Sequence, residues 1–185
     1  MTTPAAGAPL RLVIADDQAS VRQGLVLLLD AVPDIEVVGA AADGEQALDL
    51  VAERKPDAIL LDLHMPVLDG IGAIRRLTAE HPEVAIVVLT TYADDSSVLD
   101  ALRAGARSYL TKDADYTEIA RALRAAVGGL TVFDPRVHAT LLAATAAAPP
   151  PEPAPSAPPP DGLTQREAEI LGMIARGMTN PEIAA

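Results

Sequence analysis

The chain contains no cysteine and only four aromatic residues, Tyr92, Tyr109, Tyr116 and Phe133, among 185 residues. Without cysteine there is neither a disulfide framework nor a thiolate metal site. With so few rings, any core must be aliphatic. Basic residues are also scarce: 14 Lys and Arg stand against 26 Asp and Glu, a formal net charge of −12. That balance disfavours a surface that coats nucleic acid throughout, while leaving room for a local basic patch. Long apolar runs are missing too. The longest, at residues 25–29 and 85–89, fall far short of the ~20 residues that span a bilayer. The N-terminus lacks a basic segment followed by an apolar stretch and a cleavage site. The resulting expectation is a cytoplasmic protein that engages no membrane. What the chain does have is a hydrophobic content of 50%, enough to build a core and to exclude wholesale disorder. Its length suits one domain and a small second piece.

Residues 10–130 alternate strand-like and helix-like segments. The strand candidates are 11–15, 35–41, 58–61, 85–89 and 108–110. They are short, aliphatic and mostly free of polar alternation, as strands buried on both faces should be. Between them, apolar residues recur at helical spacing. Val21, Leu25, Leu28 and Leu29 form one such stripe, and Ala47, Leu48, Val51 and Ala52 a second. Ile71, Ile74 and Leu77 form the third, Val98, Leu99 and Leu102 the fourth, and Ala122, Leu123, Ala126 and Val127 the fifth. Pro33, Pro56 and Pro82 sit where helices should give way to strands. Five βα units in succession predict an α/β fold: a five-stranded parallel sheet with right-handed crossovers and helices on both faces.

The remainder has a different character. Within the tail that begins at residue 131, residues 136–148 are compatible with a helix trailing off the first domain, and their alanine-rich end equally with disorder. Residues 149–160 hold eight of the chain's sixteen prolines and read as an extended, semi-stiff linker. From residue 163 onward there are two helix starts. Thr164-Gln165-Arg166-Glu167 has capping-box form, followed by the apolar stripe Ile170, Leu171, Ile174 and Ala175. Asn180-Pro181 supplies a cap and a proline at the first helical position. A 23-residue segment (163–185) is too short to bury a core of its own.

In an open parallel sheet, ligands bind at the carboxyl ends of the strands, near the point where strand order reverses. The first strand delivers Asp16 and Asp17 there, the third Asp62, the fourth Thr90 and the fifth Thr111 and Lys112. Carboxylates brought together repel one another, and a divalent cation relieves that repulsion. All-oxygen donors suit Mg²⁺. A carboxylate can also serve as a nucleophile toward phosphorus. A hydroxyl, an ammonium and a metal are suitable stabilisers of a transferring phosphoryl group. The set is a consistent phosphoryl-transfer kit.

These motifs carry a resemblance. Val13-Ile14-Ala15-Asp16-Asp17, Leu60-Leu61-Asp62-Leu63-His64-Met65-Pro66-Val67-Leu68-Asp69-Gly70, Val88-Leu89-Thr90-Thr91 and Tyr109-Leu110-Thr111-Lys112-Asp113 resemble the receiver domain of two-component response regulators, over residues 10–130. The resemblance implies the CheY-like, flavodoxin-like strand order 2-1-3-4-5. It implies Asp62 as phosphoacceptor. It implies Mg²⁺ held by Asp16, Asp17, Asp62 and the backbone carbonyl of His64. Thr90 and Lys112 would contact the phosphoryl group, and Thr90 and Tyr109 would form the switch, the tyrosine turning inward on phosphorylation. Asp113 stands where many receivers have proline. Residues 163–185 resemble the start of a LuxR-type helix-turn-helix, an incomplete all-α segment whose recognition helix, the one that would enter the major groove, is expected to lie beyond Ala185. Receiver, Pro-rich linker and this module make the layout of the NarL/FixJ group. A sensor histidine kinase is the implied phosphodonor and promoter DNA, through a complete C-terminal domain, the implied target. Homodimerisation on phosphorylation is the implied switch.

The implied function is transcriptional regulation through a phosphorelay, without turnover of an external substrate. The alternative is a receiver acting as a protein-interaction switch or phosphate sink. A carboxylate-nucleophile phosphatase fits less well, because Leu63-His64 follows Asp62 and the second acid of an Asp-x-Asp pair is missing. No Gly-rich phosphate loop follows the first strand, which argues against nucleotide cofactors. Asp69-Gly70 reads as helix-entry chemistry. The ring of His64 is a weaker metal-ligand candidate than its carbonyl. Asp94, Asp95 and Asp100 read as a solvated acidic face.

Overall fold

A computed structural model of the chain describes residues 8–91 and 95–133. Tyr92, Asp94, the expected tail helix, the proline-rich linker and the two C-terminal helix starts lie outside the described residues. The chain divides into two compact units, Met1–Ala146 and Ala147–Ala185, and the description below concerns the first.

Among the described residues, ten elements alternate strictly. They are β1 (Leu10–Ala15), α1 (Ala19–Asp30), β2 (Ile35–Ala41), α2 (Gly44–Arg54), β3 (Ala58–Leu61), α3 (Gly70–Glu80), β4 (Ala85–Thr90), α4 (Asp95–Ala104), β5 (Ser108–Thr111) and α5 (Tyr116–Val127). The strands form one parallel sheet in the order β2-β1-β3-β4-β5. The order reverses about β1. The first crossover carries the chain outward to β2, and the second brings it back past β1 to β3. The ends of β1 and β3 therefore flank the crevice where an open sheet binds ligands.

The central strands are apolar on both faces because both are covered. Val13, Ala15, Ile59, Leu61, Ile86, Val88 and Tyr109 face one layer with side chains of α2, α3 and α4. Leu12, Ile14, Leu60, Val87, Leu89 and Leu110 face the other with α1 and α5. Burying each of these aliphatic side chains contributes roughly 1.5–3 kcal/mol, which is how a core with almost no aromatic residues holds together.

Aspartates cap the starts of α2, α3 and α5. Asp43 accepts from the Gln46 amide at the start of α2 and Asp69 from the Gly72 amide at α3, so Asp69 plays the helix-entry role expected from sequence. Asp115 and Glu118 form a full capping box at α5. Helix α2 ends where Lys55 enters the left-handed region, one residue before Pro56.

The expected stripe on α1 is out of phase at one position. Leu29 is fully buried and Leu25 and Val26 pack beside it, but Leu28 is 51% exposed. Adjacent residues lie about 100° apart around a helix. With Leu29 centred on the sheet and α5, Leu28 is carried to the rim. Ala52 of α2 is likewise exposed. In the remaining stripes Ile74, Leu77, Val98, Ala122, Leu123 and Ala126 are buried in the core, while Leu99 is half-buried.

Candidate functional site

The carboxyl ends of β1, β3, β4 and β5 converge on one acidic cluster. Asp16 and Asp62 are buried and Asp17 is exposed, and each offers a carboxylate oxygen within 4.8 Å of the others. They reach this place because β1 and β3 are paired in register, Ala15 opposite Leu61, so the residues that leave the two strands emerge side by side. The Asp62 amide donates to the Ala15 carbonyl at 2.9 Å, continuing the ladder one step past the strands.

Lys112, just past β5, bridges two of the three acids. Its Nζ lies 2.7 Å from Asp16 Oδ2 and 2.7 Å from Asp62 Oδ2. Burial pulls its proton affinity down, and this is the largest single effect. The bonds and charge attraction from Asp16 and Asp62 outweigh it together, leaving Lys112 above the usual lysine range. The other carboxylate oxygens are also held: Asp16 Oδ1 accepts from the Gln18 amide at 2.9 Å and Asp62 Oδ1 from the His64 amide at 3.4 Å. Asp17, half of the expected acidic pair, is the solvent-facing member.

Thr90 ends β4 fully buried, and its carbonyl accepts from the Lys112 amide at 2.9 Å. Its hydroxyl lies 3.4 Å from Nδ1 of His64. The His64 ring thus faces the threonine, while the acidic oxygens around the cluster come from the three aspartates. Tyr109 is completely buried in the layer beneath α4, so its ring is already inward here. Thr111 donates to the Asp113 carboxylate.

Two residues that bear on the site were not among the sequence candidates. Arg22 of α1 donates from its guanidinium to the backbone carbonyl of Asp16, tying the loop after β1 to its helix. Gly70 closes the loop after β3: its amide donates to the Leu63 carbonyl at 2.9 Å. A Cβ on Gly70 would lie 2.4 Å from the Asp62 carbonyl oxygen and 2.5 Å from the Leu63 Cα. The Asp69-Gly70 pair signals a helix start in the sequence, but not this close approach. An open cleft of about 560 Å³ lies beside the cluster, lined by Asp17, His64, Met65, Pro66, Asp69 and Ser97 among others.

Three acids with hard oxygen donors and one ammonium make a pocket compatible with a divalent cation. The cluster lies at the switch point of a doubly wound five-stranded sheet, so fold and site together define an α/β module of the receiver class. Comparison with known proteins supplies the family. Residues 12–124 match the response regulator receiver domain, and residues 161–185 match bacterial regulatory proteins of the luxR family. The chain is 41% identical over 174 residues to the transcriptional regulatory protein LiaR of Bacillus subtilis, covering 94% of this chain and 80% of that one. It is 37% identical over 175 residues to the DNA-binding transcriptional activator DevR/DosR of Mycobacterium tuberculosis, covering 95% and 78%. The crystal structure of a LuxR-family two-component response regulator from Aurantimonas sp. SI85-9A1 superposes with a TM-score of 0.70 at 29% identity, covering 75% of this chain and 99% of that one. The chain belongs to the two-component response regulators of the NarL/FixJ group, combining a receiver domain with a LuxR-type DNA-binding domain.

Among the described residues, no helix is long and apolar enough to cross a membrane.

Proposed function

We propose that Asp62 is the phosphoacceptor of this regulator, with Mg²⁺ held by Asp16, Asp17, Asp62 and the backbone carbonyl of His64. The observation that carries the reading is the bridging of Asp16 and Asp62 by Lys112, at 2.7 Å from each, inside a cluster of three aspartates. A purely structural ion pair needs one acid. Here one ammonium bridges two acids with a third beside them, leaving a surplus of negative charge that a cation and a transferring group can use.

In this reading an Asp62 oxygen attacks the phosphorus of a histidine kinase's phosphohistidine. The new P–O bond forms as the P–N bond breaks, and the imidazole leaves with the electron pair and takes up a proton. Asp62 attacks as the carboxylate, and Lys112 and the Thr90 hydroxyl supply positive charge and a donor to the phosphoryl oxygens. The cation, when bound, adds charge neutralisation at the same oxygens. Gly70 lets the backbone pack tightly against Asp62 and Leu63, next to His64, whose carbonyl would join the ligand set. The chain turns over no external substrate; its chemistry is its own phosphorylation and dephosphorylation.

The domains follow: receiver over 10–130, tail and linker over 131–162, DNA-binding segment over 163–185. The receiver acts in the cytoplasm, and its phosphorylation drives homodimerisation and promoter binding through the complete C-terminal domain. The test is labelling with acetyl phosphate or a phosphorylated kinase in the presence of Mg²⁺. Asp62→Asn and Asp62→Ala are expected to abolish labelling while remaining folded. Persistent Mg²⁺-dependent labelling of either variant would overturn the assignment.

A further inference from the structure

The chain does not leave the receiver at the end of α5. The Leu130 amide donates to the Ala125 carbonyl at 2.8 Å, turning the chain back after the helix. The Val132 amide then donates to the Ser108 hydroxyl at 3.2 Å, and Phe133 forms a parallel β-bridge with Tyr109. Val132 packs on the layer of α1 and α5, and Phe133 on the layer that contains Tyr109, Val98 and Ala101. Side chains that alternate between the two faces of the sheet define a strand. Residues 131–133 are therefore a short strap laid along the open edge of β5.

The strap's position connects it to the site. Thr90 lies two residues beyond Val88, which is paired with Tyr109. Thr90 and Tyr109 are thus diagonal neighbours on the same face, within reach of an aromatic ring. From the acidic cluster, one row of neighbours runs through Thr90 to Tyr109 and on to Phe133. Beyond Phe133 the chain continues to the DNA-binding segment at 161–185.

We propose that the strap at 131–133 is the receiver's output element: Phe133 and Tyr109 hold each other in place, and a shift of Thr90 at the phosphorylation site changes the strap's grip on β5. The proposal rests on Asp62 being the phosphoacceptor. In the structure Phe133 is docked while Tyr109 is buried, and the proposal has these two arrangements favour each other. Whatever draws Thr90 toward Asp62 and deepens the space for Tyr109 tightens the strap. By linkage, the docked strap strengthens binding of a phosphoryl group or its mimic.

Phe133 is the only phenylalanine in the chain, so para-fluorophenylalanine in the full chain gives one fluorine resonance, from the strap. That resonance is expected to move on Mg²⁺-dependent treatment with acetyl phosphate, and not in Asp62→Asn. Tyr109→Leu is expected to move it without phosphorylation. Phe133→Ala should weaken beryllofluoride binding with Mg²⁺ by on the order of five-fold, the low end of ordinary coupling, and Phe133→Leu should restore most of it. Intact mass separates the two readings. If a phosphoryl group is gained and the resonance ignores both it and Tyr109→Leu, the strap proposal is overturned. If no phosphoryl group is gained, the phosphoacceptor reading fails, and a resonance that ignores Tyr109→Leu overturns the strap as well.

Discussion

Replacing Lys112 with methionine tests the electrostatic design of the site. The ammonium sits 2.7 Å from carboxylate oxygens of both Asp16 and Asp62, with side-chain exposures of 13%, 2% and 3% for Lys112, Asp16 and Asp62. Opposite unit charges 4 Å apart attract by on the order of 4 kcal/mol at an effective dielectric near 20. Lys112 makes two such contacts, and the desolvation of its own charge offsets part of that gain. Removing one partner from a buried ion pair typically costs about 3–5 kcal/mol, because the charge left behind is uncompensated. Lys112→Met should lose that amount at neutral pH without Mg²⁺, read as a lower urea midpoint at unchanged slope. With Mg²⁺ the variant should recover more stability than the parent gains, because no ammonium competes for the same oxygens. At Mg²⁺ of about 100 times Kd the recovery is about 2.7 kcal/mol. The pH dependence has a definite sign. Lys112 is raised above its ordinary 10.5, so its contribution is complete below that value and fades as pH climbs through the higher folded value. A loss under about 1 kcal/mol, the range of a surface pair, or equal Mg²⁺ stabilisation of parent and variant, would refute the reasoning.

Other substitutions separate site, core and surface. Gly70→Ala forces a Cβ to within 2.4 Å of the Asp62 carbonyl oxygen and should cost at least the 1–3 kcal/mol of ordinary overpacking; slower acetyl phosphate labelling in the folded variant checks its effect on the loop. Leu29→Ala should cost about 2–5 kcal/mol, whereas Leu27→Ala, at a position 74% exposed, should stay within about 0.5 kcal/mol; thermal or urea unfolding distinguishes them. Arg124 hydrogen-bonds to Asp34, which holds that carboxyl below its usual value. The pair therefore contributes above the ordinary aspartate range and fades as pH falls through the lowered value. Because both residues are largely exposed, Arg124→Ala should cost about 0.2–1 kcal/mol, and the difference from the parent should shrink in high salt.

The strand-end acids were legible because each follows a run of aliphatic residues that only a buried strand accommodates. Once Asp16 and Asp62 are known to end β1 and β3, a parallel sheet brings them together. The same logic placed Thr90 and Lys112. What it could not supply was the third dimension. Lys112 lies one strand beyond Thr90, and nothing in the spacing says that its ammonium reaches across to Asp16 as well as Asp62. Leu28 looked like a core residue because a helical stripe in sequence has a width but no centre; the centre is set by what packs on it, here the sheet and α5. Arg22 gave no sign of reaching a backbone carbonyl. Phe133 did carry a signal. Thr131-Val132-Phe133 is a β-branched and aromatic run, but three residues after a helix are too few to declare a strand without the edge of β5 to pair with.

Charge at the cluster suggests why Thr90, rather than Lys112 alone, should carry the signal. Three aspartates and one lysine have a formal charge of roughly −2 when all are ionised, which one divalent cation would balance. Phosphorylating Asp62 replaces its single charge with about −1.5 to −2 and three acceptor oxygens, so the balance is lost again. Lys112 alone cannot restore it, because its charge is already counted. The uncommitted demand is for donors to the new oxygens. Thr90 is the buried hydroxyl at the adjacent strand end, and its contact with His64, at 3.4 Å, is long for a hydrogen bond. A charged acceptor outcompetes such a contact. If Asp62 is the phosphoacceptor as proposed, a movement of Thr90 follows from local electrostatics, and Tyr109 and Phe133 stand next along the same face of the sheet to receive it.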